Sequence, residues 1–170
     1  MIMQTGDKWA CLPCAFAMVI DLPVKKFIKM IGHDGSDEPY EDFPGLKAGF
    51  HEQECIEVLQ QQGYSCTPIE IVPQMIAAPG APVRPVWFPP SCSPSLKKTG
   101  NWLRFTRHLE GTRGVITGAK KRINDDEIRG HAVAWDGIIH DPQGKGFGYT
   151  LGQMDDYGFM PRVYWKVQGV

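Results

Sequence analysis

The chain has 170 residues, with 18 basic and 19 acidic side chains and a formal net charge of −1. That length suits one domain over residues 1–170 with a substantial core, and the even charge argues against a general nucleic-acid binder, which needs clustered positive charge. No stretch approaches the ~20 apolar residues of a membrane span, the first residues lack the basic start and apolar run of a signal peptide, and five cysteines leave at least one unpaired; the expectation is a reduced, cytoplasmic protein.

Residues 1–10 are polar and irregular. A first helix is predicted over 11–20, apolar on every side, which places it in the middle of a domain. Pro13 fits its first turn, where N–H groups have no intrahelical partner. Asp21-Leu22-Pro23 breaks that helix, and a second is predicted over 23–31, with Val24, Phe27, Ile28 and Ile31 on one face and Gly32 as its stop. Residues 33–49, rich in acids, glycine and proline, read as a loop.

A third helix is predicted over 51–62, ended by Gly63, and a strand beside it over 66–72. A proline-bearing stretch at 82–88 reads as an edge strand. Residues 101–110 read as a helix with Trp102, Phe105 and Leu109 on one face, followed by strands at 114–118, a hairpin over 131–141 and a strand at 162–167. Helices first and strands later indicate an α+β fold, with the helices packed on one face of an antiparallel sheet. The basic runs Lys97-Lys98 and Lys120-Lys121-Arg122 read as solvated loop charges.

Chemistry concentrates at two places. Cys11 opens the first helix, where the macrodipole favours thiolate. Far downstream, the run from Gly130 to Pro142 carries His131 and Asp141 on one hairpin. A cysteine, a histidine and an acid that converge form a nucleophile, a base and the base's orienting group. Convergence depends on register. A two-residue Asp136-Gly137 turn sends His131 and Asp141 to opposite faces. A Trp135-Asp136-Gly137 loop with a bulge at Gly137 places them directly opposite on one face. Both turns suit the sequence. The backbone N–H of Cys11 and the side-chain amide of Gln4 are candidate oxyanion donors.

These residues resemble the papain-like cysteine peptidases, in particular small bacterial and phage enzymes similar to the double-glycine leader peptidases of bacteriocin exporters. Gln4, Cys11-Leu12-Pro13, His131-Ala132-Val133 and Asp141-Pro142 match that group's glutamine, Cys-Gly-Pro-like helix start, His-Ala-Val strand and Asp-Pro. The match covers the two ends of the chain; residues 33–113 agree only in order of elements. The group usually has Asp before and Gly after the nucleophile, where this chain has Ala10 and Leu12, and Gln4 stands one residue further from the cysteine.

The resemblance implies a papain-like fold and a thiol hydrolase acting on a peptide or isopeptide bond, with Cys11, His131, Asp141 and Gln4 as its site and a protein or peptide as substrate. Cys14 is the rival nucleophile, because Cys14-Ala15-Phe16 also fits the papain pattern. A catalytically silent protein-binding module, an inhibitor, and an acyltransferase with the same triad are the alternatives. Cys11 and Cys14 also have redox-pair spacing, but no strand precedes them. No second close pair follows for zinc, so neither metal nor cofactor is expected. Cys55, Cys66 and Cys92 read as core or loop thiols, and His33, His51 and His108 as surface or loop residues. His140 should face away from Asp141. The acids from Asp34 to Asp42 either border the cleft and favour basic peptides or are simply solvated.

Overall fold

The structure, a computed structural model, describes residues 1, 10–36, 49–71, 100–121, 128–144 and 148–170. The edge strand expected at 82–88, Gln4, Cys92, Arg122 and most of the acidic loop lie outside them.

The helix α1 (Cys11–Val19) is apolar all round and is buried from Pro13 to Val19. Asp21 ends it in a left-handed conformation, φ 52°, which Asp tolerates better than most side chains. Its carboxylate pairs with Arg113 at 3.1 Å. The amphipathic α2 (Val24–Ile31) follows, ending on Gly32, then α3 (Glu52–Gln61), which buries Cys55, Val58 and Leu59. Strand β1 (Tyr64–Glu70) runs back along α3. After α4 (Gly100–Leu109) come β2 (Arg113–Lys121), β3 (Ile128–Trp135), β4 (Ile139–His140) and β5 (Phe159–Gly169).

The result is α+β: four helices and an antiparallel five-stranded sheet ordered β1-β5-β2-β3-β4 among the described residues. The long strand β5 lies between β1 and β2 and pairs with both.

The expectation that helices share one face is corrected. Helices α1 and α3 pack on the face carrying Val115, Ala132, Ala134 and Val167. Helix α4 covers the other, where Trp102, Phe105 and Leu109 meet Ile116, Val133, Trp135 and Tyr164. The reason lies in β3, whose residues His131 to Trp135 are all buried. A strand buried on both sides is a continuous apolar run and needs cover on both faces. Strand β1 also precedes α4, so helices and strands are not segregated along the chain. No helix among the described residues is long and apolar enough to cross a membrane.

Candidate active site

The hairpin adopts neither register expected from its sequence. Its loop is Asp136-Gly137-Ile138, with Ala134 opposite His140 and Trp135 opposite Ile139. The Asp136 N–H donates to the Ile138 carbonyl at 3.3 Å, and Gly137 takes φ 112°, which a side chain would resist. Ile139 fixes this register: it is fully buried and also exchanges two backbone hydrogen bonds with Tyr149, at 2.8 and 3.0 Å. Ile138 is left partly exposed.

Asp141 follows β4 directly and starts a tight turn. Its carbonyl accepts the Gly144 N–H at 2.9 Å, and its side-chain Oδ1 accepts the Gln143 N–H at 2.9 Å. Asp, Pro and Gly at the first, second and fourth positions are the signature of a type I turn. The local sequence Asp141-Pro142-Gln143-Gly144 thus aims the carboxylate before any long-range contact is made.

His131 and Asp141 meet at 2.8 Å, Nε2 to Oδ1, and both side chains are almost fully buried. An ionised carboxylate only accepts, so His131 Nε2–H is the donor. That assigns the tautomer and leaves Nδ1 as the free acceptor. Phe159 packs edge-on against the imidazole with centroids 5.8 Å apart. Burial disfavours the imidazolium, but hydrogen bonding and charge from Asp141, and then from Cys11, outweigh it and raise the His131 pKa above 6.5.

Cys11 is the first residue of α1 and is half-buried, whereas Cys14 lies one turn inside and is fully buried. It is Cys11 whose hydrogen bonding and charge act on His131. Among the described residues no side chain caps α1 at Ala10, so the first amides of this buried helix have no intrahelical partner beside the nucleophile. The structure therefore brings Cys11, His131 and Asp141 together. Among the described residues no cysteine is in a disulfide. Burial pushes the Cys55 thiol up, and Cys66 up to about 12, as expected of inert core thiols.

A fourth member departs from the sequence expectation. Lys120 is not a solvated loop charge but lies in β2, and its Nζ sits 2.6 Å from Asp141 Oδ2. The cause is the length of β2, which continues past Gly118 and carries Lys120 alongside the dyad. Burial works against the Asp141 charge, yet His131 and Lys120 together hold its carboxyl well below the ordinary 3.8. Tyr149 stands nearby: burial and the Asp141 charge push its hydroxyl up, and that buried hydroxyl has no well-formed hydrogen bond among the described residues.

His33 and His140 have partners of their own. His33 bonds Glu54 at 3.0 Å and stacks on Phe50, and His140 bonds Asp136 at 2.7 Å. Asp34 is exposed and accepts from the backbone and hydroxyl of Ser36. Among the described residues no group of three or more His, Cys, Asp or Glu side chains could hold a metal ion. A groove of about 390 Å³ is lined by Glu52, Glu70, Thr117, Gly118, Arg162 and Trp165, among others, and Gly118 is the cross-strand neighbour of His131. No protein-family model matches the chain, and no curated protein matches it.

Proposed function

We propose that this chain is a papain-like cysteine peptidase that cleaves a peptide or isopeptide bond through Cys11, His131 and Asp141. One observation carries the reading: a half-buried cysteine at the start of a buried helix acts on the same imidazole that a buried carboxylate holds at 2.8 Å. A structural histidine gains nothing from that second, thiol partner.

The chemistry follows from the assigned tautomer. His131 Nδ1 takes the thiol proton, and the Cys11 sulfur attacks the acyl carbon. Asp141 accepts from Nε2–H throughout and stabilises the imidazolium that forms. Negative charge grows on the carbonyl oxygen, where the Cys11 backbone N–H donates; Gln4 is proposed as a second donor. Collapse of the tetrahedral species breaks the C–N bond as His131 returns its proton to the leaving amine. Water then attacks the thioester with His131 as base, releasing the acid and restoring the thiol.

The test is a comparison of new peptide N-termini and newly freed lysine ε-amines after a denatured proteome is incubated with wild type or with Cys11→Ala. Termini or amines that appear only with wild type, sharing a sequence preference, support a peptidase. Identical sets from the two proteins would overturn it.

A further inference from the structure

Asp141 has two oxygens and two charged neighbours. Oδ1 accepts from His131 and from the Gln143 N–H, while Oδ2 faces the Lys120 ammonium. The carboxylate is almost fully buried, and Lys120 is about three-quarters buried. Charges this close act strongly on one another in a poorly hydrated site. The acid that orients the base is therefore shared with a cation on the neighbouring strand, rather than devoted to the histidine.

Resting on the peptidase reading above, we propose that Lys120 is a positioning residue that tunes His131 through Asp141. The ammonium fixes the carboxylate so that Oδ1 faces the imidazole, and its positive charge offsets part of the negative charge that His131 feels. A buried Asp–His pair alone would hold the imidazolium too firmly for it to give its proton to a leaving amine. With Lys120 present, the imidazolium is a stronger acid, closer to the working pH at which acid and base roles are balanced.

The charged and titratable groups facing the pair among the described residues are Cys11 from α1, Lys120 from β2, and Tyr149 beyond β4. Tyr149 is neutral throughout the working range, because its hydroxyl is pushed up. A substitution at Lys120 leaves Cys11 itself untouched. Lys120 is thus the cation whose removal isolates the effect.

The experiment is an NMR titration of the His131 ring nitrogens in wild type, Lys120→Met, Lys120→Gln and Lys120→Arg, each also checked for folding by thermal melting. Removing the charge should raise the His131 pKa by about 1, from the size of a Coulomb interaction across one intervening carboxylate. Lys120→Arg should stay close to wild type. Lys120→Gln keeps a hydrogen-bond donor and serves if Lys120→Met does not fold. A His131 pKa that is unchanged or lower in the neutral variants overturns the proposal and leaves Lys120 with a packing role only. The readout needs no substrate: a protein without peptidase activity that still shows the rise rejects the peptidase reading and keeps the coupling.

Discussion

His131 Nε2 and Asp141 Oδ1 lie 2.8 Å apart, although the two residues are not cross-strand partners. Continuing the β3–β4 register places Asp141 opposite Val133, two positions along from His131. An even offset keeps both side chains on one face, and diagonal neighbours remain within reach of a ring-sized side chain. Because the pair is diagonal, the turn at Asp141-Pro142-Gln143-Gly144 has to aim the carboxylate. Asp141→Asn should keep the fold, since the amide oxygen still accepts from Nε2–H. It should lose the ion pair with Lys120 and lower kcat by roughly 10²–10⁴-fold, with thermal melting and turnover measured on the same preparation.

Cys11 and His131 should behave as one unit. Cys11→Ala and His131→Ala should each remove nearly all turnover, and the double variant should cost little more. Gln4→Ala should lower kcat by roughly 10²–10³-fold, as the loss of an oxyanion donor does. Cys14→Ala should retain activity and cost about 1 kcal/mol in a urea titration, the scale of removing one small buried group. An active Cys11→Ala beside a folded but dead Cys14→Ala would transfer the nucleophile one helical turn.

The buried pair has a pH signature in stability. Asp141 is held below its ordinary 3.8, so its contribution is present above that value and is lost as pH falls through the lower folded pKa. His131 is raised above 6.5, so its contribution is complete below 6.5 and is lost as pH rises through the higher folded pKa. The stability difference between wild type and Asp141→Ala should therefore be greatest between about pH 4 and 6.5 and shrink on either side. Urea midpoints across a pH series measure it, and a difference that is flat with pH contradicts the coupling.

Gly118 sits opposite His131 and beside the irregularity where β2 and β5 shift register after Thr117. A Cβ there would collide with the backbone carbonyl of Met160, not with a side chain that can turn away. Gly118→Ala should destabilise by about 1–3 kcal/mol, the usual cost of overpacking, as read from urea unfolding. A neutral result would mean that β5 yields at the bulge.

Local chemistry carried much of this fold into view. The all-round apolar run after Cys11, the stop at Gly32 and the Asp-Pro turn each act through a few neighbouring residues, and the helices α1, α2 and α3 stand close to where those signals placed them. The register of the hairpin was not legible, because Asp136-Gly137 suits several loops and the choice falls to Ile139, which bridges Trp135 on one side and Tyr149 on the other. The second helical layer was legible in principle: Val115-Ile116 and Ala132 to Trp135 are too continuously apolar for a sheet with one wet face. Lys120 was hidden for another reason. A lysine in a basic triplet carries no mark of a buried carboxylate 21 residues away.

The rate at which iodoacetamide alkylates Cys11, followed by mass spectrometry across pH 5–9, tests the central claim most directly. In wild type, Cys11 should be labelled far faster at pH 6 than an ordinary thiol, whose thiolate is scarce below its pKa of ~8.5. His131→Ala should abolish that advantage without unfolding the protein. Slow labelling with the pH dependence of an ordinary thiol, the same in wild type and His131→Ala, would contradict an activated nucleophile and leave a cleft that binds without turnover.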